Sequence, residues 1–200
     1  MAVSGSAALE QETVSRGART RLRRRLRRAL IAAGAALFAA AAGIIALFLI
    51  YPLPSNLNAY VPAPSTRIYD RQGRLLYEVV GPGGKRVTVP LSTIPLALRQ
   101  AAIAAEDSSF YHNPGIDPVA IVRSLILDAR LGNTAYGGST ITQQLVRTIL
   151  LSPAERTQRS FTRKLHEASL ALQLNLRDSK DQVLALYLNN VYYGNLAYGV

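Results

Sequence analysis

The sequence predicts a mainly α-helical chain with a small N-terminal β element, attached to one transmembrane helix. Three observations carry that expectation. Residues 29–51 form 23 consecutive positions without a charge. From Pro95 onward, helix start signals recur: Asp117-Pro118, then the capping boxes Ser152-Pro153-Ala154-Glu155 and Ser179-Lys180-Asp181-Gln182. Between these regions, two short apolar stretches flank the turn-forming run Asp70-Arg71-Gln72-Gly73.

The first element is a basic tail, residues 1–28. Eight arginines lie between Arg16 and Arg28, and they supply most of the formal net charge of +11. A polybasic run raises the question of nucleic-acid binding, but this one abuts the apolar segment, so membrane topology explains it and no nucleic-acid partner is expected. The anchor, residues 29–51, includes Leu37, Phe38, Ile44, Ile45, Leu47, Phe48, Leu49 and Ile50. At ~1.5 Å per residue it reaches about 35 Å, enough to cross a hydrocarbon core with some tilt. A cleaved signal peptide normally has a shorter apolar region followed by a small-x-small site, and Tyr51-Pro52-Leu53-Pro54 offers none. By the positive-inside rule, the arginines keep the N-terminus cytoplasmic and put everything after Pro52 outside the cell membrane. Cysteine is absent, which excludes disulfides and thiolate metal sites.

Residues 52–65 hold Pro52, Pro54, Pro62 and Pro64 and read as an extended tether. The domain proper is residues 66–200. It opens with a hairpin, Arg67-Ile68-Tyr69 against Leu75-Leu76-Tyr77-Glu78-Val79, and a second turn at Gly81-Pro82-Gly83-Gly84 leads to Arg86-Val87-Thr88-Val89. Helices are expected near 95–108, 118–131 (closed by Gly132), 140–151, 153–176 and 180–190.

Three polar signatures carry the candidate chemistry. Glu106 ends the run Gln100-Ala101-Ala102-Ile103-Ala104-Ala105; a carboxylate against apolar surface has the raised affinity for protons that general acid–base work needs. The helix expected from Pro153 places Arg156, Arg159, Arg163 and Glu167 on one face, opposite an apolar stripe of Phe161, Leu165, Ala168, Leu172 and Leu176. Three arginines sharing one acid, with Lys164 nearby, leave an excess of positive charge. Phosphate or pyrophosphate suits that surplus, because arginine forks pair with it bidentately. Third, Gly137-Gly138 leads into a helix start at Ser139, whose free N–H groups suit an anion, with Thr140, Gln143, Gln144 and Arg147 on one face and Ile141 and Leu145 turned away. There is no Ser-x-x-Lys, the acylatable serine motif of a transpeptidase.

Taken in order, these segments resemble the peptidoglycan glycosyltransferase domain, glycosyltransferase family 51, of class A penicillin-binding proteins and their monofunctional relatives. The resemblance covers roughly residues 66–200. It rests on Glu106-Asp107, Gly137-Gly138-Ser139-Thr140-Ile141-Thr142-Gln143-Gln144, Arg163-Lys164-Leu165-His166-Glu167, the run Lys180 to Asn189, and the start of a fifth motif at Gly194 to Val200. It implies a lysozyme-like helical fold against the outer membrane surface and the polymerisation of lipid II into β-1,4-linked glycan, with release of undecaprenyl pyrophosphate. Glu106 takes the position of the general base and Glu167 that of the second catalytic carboxylate, on the pyrophosphate side. Asp107, Ser139, Thr140, Gln143, Gln144, Arg147, Arg159, Arg163 and Lys164 take substrate-binding positions. The implied partners are lipid II, the growing glycan strand, the membrane and cell-wall synthesis machinery. No cofactor is required, with a divalent cation (magnesium or manganese) as an optional aid and no dedicated metal-ligand spacing in the sequence.

Three features depart from the family pattern. Asn113 stands where a histidine is usual, with His112 one place earlier; Arg147 replaces a lysine; and the chain stops inside the fifth motif, as expected of a fragment from a longer penicillin-binding protein. Two other readings use the same residues: a lysozyme-like glycan-cleaving enzyme, or an inactive module that binds lipid II without turnover.

Overall fold

The computed structural model describes residues 4–80, 84–131, 137–195 and 197–200. The chain divides into two units, residues 1–46 and 47–200. Helix α1 runs Ser4–Ile50, so the arginine-rich stretch and the apolar run lie in one continuous helix. Its part from Arg24 to Ile50 is long and apolar enough to cross a membrane. The last residues of α1 belong to the second unit. There, the Leu47 carbonyl accepts a hydrogen bond from Ser169 Oγ at 3.1 Å and the Tyr51 carbonyl accepts one from Gln173 Nε2 at 2.7 Å. The Tyr51 ring stacks on His166, centroids 4.3 Å apart.

Strands β1 (Thr66–Tyr69) and β2 (Leu75–Val79) pair antiparallel as the expected hairpin. Asp70 Oδ1 accepts from the N–H of Gln72 and Arg74, and Gly73 takes the left-handed conformation at φ +79°. The next strand behaves differently from expectation. Strand β3 is only Lys85–Arg86, and it joins a separate three-stranded sheet, parallel to β5 (Ala197–Tyr198), which also pairs antiparallel with β4 (Tyr192–Gly194). Val89 is held instead by a side chain: Asn189 donates to its carbonyl and accepts from its N–H, at 2.9 and 2.8 Å. The turn at Gly81–Gly83 and the stop at Gly132 fall outside the described residues.

Helices α2 (Leu96–Glu106), α3 (Pro118–Leu131), α4 (Ile141–Ile149) and α7 (Lys180–Asn190) lie close to the expected spans. The single helix expected over 153–176 is two, α5 (Pro153–Thr157) and α6 (Phe161–Arg177). The break arises because Ser160 is extended and its Oγ accepts the Arg163 N–H, a second N-cap a few residues beyond the Ser152 capping box. Arg156 therefore does not continue the face of Arg163; its Nε donates to the Leu151 carbonyl.

Helix α4 is the centre of the core, packed against both α6 and α7. Ile141, Leu145 and Val146 of α4, Leu170 and Leu174 of α6, and Val183, Leu184 and Leu188 of α7 are all fully buried, with Phe110 among them. The face that α6 turns inward reverses the sequence expectation. Glu167, Leu170, Ala171 and Leu174 are buried, whereas Phe161 and Leu176 of the supposed apolar stripe are 77% and 79% exposed. The close approach of Gly115 to α6 is one fixed point of this packing: a Cβ there would lie 2.5 Å from the Ala171 carbonyl oxygen, and its φ is +103°.

Candidate active site

The site starts from the way α2 ends. At Asp107 the backbone leaves helical geometry and the side chain turns inward, 7% exposed. Its carboxylate accepts twice from Asn113 Nδ2, at 2.9 and 3.0 Å, and once from the Ile141 N–H at 3.2 Å. A carboxylate is favoured at that helix N-terminus, where backbone N–H groups are otherwise unsatisfied. Asp107 thus ties the end of α2 to the start of α4. Asn113, where the family pattern has histidine, supplies donors for that tie. Its Oδ1 accepts from the Gly115 N–H at 2.9 Å and from Lys180 Nζ at 3.3 Å.

The tie brings Glu106 beside Gln144. Gln144 Nε2 donates to Glu106 Oε2 at 2.7 Å, and Gln144 Oε1 accepts from the Tyr187 hydroxyl at 3.2 Å. Burial pushes the Tyr187 phenol up to about 12, with the Glu106 charge adding to the shift. Glu106 is exposed, which corrects the expectation of an apolar surround: the neighbouring alanines 104 and 105 are exposed too.

An open cavity of about 230 Å³ has Glu106 on its wall, with Ser108, Asp117, Arg123, Gly137, Gly138 and Ser139. Asp117 accepts from Ser109 Oγ at 2.6 Å and from the Ala120 N–H at 2.9 Å, and those donors, Ser109 foremost, lower its proton affinity. Arg123, which sequence reasoning missed, is the cation on this wall; its signal was a lone charge in the otherwise apolar stretch Pro118 to Leu127.

The predicted site residues divide into groups. Ser139 lines the cavity and accepts a hydrogen bond from Lys164 Nζ at 2.7 Å. Lys164 Nζ also lies 3.2 Å from Glu167 Oε2, and Arg163 Nη1 is paired with Glu167 Oε1. Glu167 is completely buried, and its Oε2 lacks a hydrogen bond of good direction even with Lys164 beside it. It is not among the residues lining this cavity, which it approaches through Lys164 and Ser139. Helix α4 is capped by Thr140, not Ser139: Thr140 Oγ1 accepts the Gln143 N–H and donates to the Gly115 carbonyl at 2.6 Å, and Gln143 Oε1 accepts the Thr140 N–H at 3.0 Å. Thr140 and Gln143 are buried and hold the helix start in place. Arg147 is half-buried near Tyr187. Arg159 lies in the break between α5 and α6, exposed, with no hydrogen bond or ion pair among the described residues.

No group of three His, Cys, Asp or Glu side chains converges in a metal-ligand set among the described residues. Asp107 and Asp117 on the cavity wall already accept hydrogen bonds from protein donors.

A family described as Transglycosylase matches residues 72–200. The chain is 40% identical over 157 residues to penicillin-binding protein 1A of Aquifex aeolicus, covering 78% of this chain and 21% of that protein. It is 40% identical over 176 residues to penicillin-binding protein 1A of Rickettsia bellii (83% and 21%). With penicillin-binding protein 1A/1B of Bacillus subtilis it shares 43% identity over 136 residues (68% and 14%). The chain spans about a fifth, or less, of the length of these relatives.

Proposed function

The chain belongs to the transglycosylase family, and from that premise we propose that it is a membrane-anchored peptidoglycan glycosyltransferase. It polymerises lipid II into β-1,4-linked glycan at the outer face of the cell membrane. Residues 24–50 cross the bilayer, and Arg24, Arg25, Arg27 and Arg28 hold the N-terminus in the cytoplasm.

In the reaction the 4-hydroxyl oxygen of the acceptor sugar attacks the anomeric carbon of the donor from the side opposite its diphosphate. The new C–O bond forms as the bond to the diphosphate breaks. The bonding pair leaves with undecaprenyl pyrophosphate, which inverts the anomeric carbon, and the hydroxyl proton passes to Glu106. The observation that carries this reading is Glu106 itself. It stands exposed on a cavity wall, with one oxygen steadied by Gln144 and the other without a hydrogen bond among the described residues.

Negative charge builds on the leaving diphosphate, so fixed cations stabilise the transition state most there. Lys164, joined to the cavity through Ser139, and the unpaired Arg159 are suited to that task, with Arg147 on the α4 side. Arg163 is paired with Glu167, whose role is then to hold the cations in place. The basic set Arg159, Arg163 and Lys164 also favours transfer over glycan cleavage, since a neutral glycan offers no diphosphate to meet it.

The test is polymerisation of fluorescent lipid II, followed by gel separation of the glycan. Glu106→Gln keeps the size of the side chain but removes the base, and the polymerisation rate falls by a factor on the order of 10²–10⁴. Undiminished polymer from that variant rules out the base assignment. Soluble muropeptides released from purified peptidoglycan would instead identify a cleaving enzyme.

A further inference from the structure

Tyr187 has no place in the reaction described above, yet it is hydrogen-bonded to the residue that holds the base. It lies in α7, 4% exposed, and its hydroxyl reaches Gln144 Oε1 at 3.2 Å. The other end of the same amide donates to Glu106 Oε2 at 2.7 Å. The three residues come from α7, α4 and α2 and form one chain of hydrogen bonds.

We propose that Tyr187 is a positioning residue for the transfer reaction: its hydroxyl fixes the orientation of the Gln144 amide, and the amide in turn aims the Glu106 carboxylate into the cavity. The inference rests on the functional reading above and adds a residue to it. Three physical arguments support it. A glutamine side chain has three rotatable bonds and two chemically different ends, so holding one end leaves the other free to swing. Here both ends are held, because a phenol O–H can donate to the amide oxygen while the carboxylate accepts from the amide nitrogen. Second, Glu106 is at the exposed end of a helix, where water competes for its oxygens, and the short bond from Gln144 is the one that orders it among the described residues. Third, the phenol is buried and its proton affinity is raised, so Tyr187 remains a donor throughout the neutral pH range.

Proximity effects make this ordering matter in the rate more than in binding. A base that wanders from the attacking hydroxyl lowers the fraction of bound substrate that reacts, while the groups that hold the substrate are untouched.

The experiment is a double-mutant cycle on the membrane-anchored chain in detergent, with Tyr187→Phe, Gln144→Ala and the pair, measuring kcat and KM on lipid II. Tyr187→Phe keeps the buried ring and deletes one hydroxyl, so the fold is retained. Loss of one neutral hydrogen bond lowers kcat about fivefold and leaves KM within about twofold. In the Gln144→Ala background the same substitution has no further effect, because the amide it acts through is gone. An unchanged kcat in Tyr187→Phe, or a loss of the same size with and without Gln144, overturns the inference and leaves the functional reading intact; the second outcome marks a packing role. If the unsubstituted chain makes no polymer, while Glu106→Gln is equally inert, both the reading and the inference fall.

Discussion

Glu106 and Glu167 are both glutamates at motif positions, yet their surroundings give them opposite sensitivities. Glu106 is exposed and makes one side-chain hydrogen bond, so Glu106→Gln leaves thermal stability within about 0.5 kcal/mol, the range of ordinary surface changes. Glu167 is fully buried between Arg163 and Lys164. Removing its charge strands two cations, one of them largely out of water. Glu167→Ala is therefore expected to cost about 3–5 kcal/mol, read as a lowered midpoint in thermal or chemical unfolding. A Glu167→Ala chain that unfolds like the parent would show that the buried pair contributes little. On the proposed function, activity lost in the two variants has different origins: chemistry in the first, loss of the cation cluster and its support in the second. The sequence put apolar surface around Glu106 and cations beside Glu167, yet Glu106 is the exposed one and Glu167 the buried one. Burial is decided by neighbours brought from elsewhere in the chain.

The elements follow local signals closely wherever a side chain closes its own helix end. Capping boxes at Thr140, Ser152 and Ser179 start α4, α5 and α7, and Asp117 Oδ1 accepts the Ala120 N–H at the head of α3. The exception is instructive. Ser160 lies within an apparently continuous helical pattern, because Arg156, Arg159, Arg163 and Glu167 keep helical spacing across it. In the structure Ser160 starts a new helix and frees Arg159 from either one. Ser160→Ala is expected to destabilise the chain by about 1 kcal/mol, the usual value of an N-cap. It should also lower polymerisation by altering the path of the Arg159 segment. An unchanged unfolding midpoint in that variant would mean the cap is held by packing alone. The inverted face of α6 has a related cause. Periodicity locates an apolar stripe but does not say which side meets the core, and here the paired charges of Arg163 and Glu167 go inward with Leu170 and Leu174.

For the molecule as a whole, the shifted groups set a pH window of stability. The folded-state proton affinity of Asp117 is lowered, Ser109 being the main cause, and that of Glu155 is lowered, chiefly by Ser152. Groups of this sign add stability above their ordinary carboxylate range and lose it as the pH falls through the folded value. Tyr187 has the opposite sign of shift, up to about 12 from an ordinary 10.0. The neutral phenol is the form the fold prefers, so its contribution is complete below pH 10 and disappears as the pH rises toward 12. Denaturation midpoints measured across pH should fall at both ends, and Tyr187→Phe should flatten the alkaline decline without altering the acidic one. An alkaline limb unchanged in that variant would assign the loss to other groups.

What the sequence determined by itself is local. The apolar run sets a helix long enough to cross a membrane, and capping side chains set the helix starts. Short motifs in a fixed order mark the family. Each of these depends on residues within a few positions of one another, where spacing alone fixes geometry. Only the tertiary structure decided that Asp107 ties α2 to α4, that Glu167 is buried among its cations, and that Tyr187 reaches Glu106 through Gln144. Those contacts join α2, α4 and α7 across a shared core, and no pattern along a single strand of sequence encodes which faces will meet.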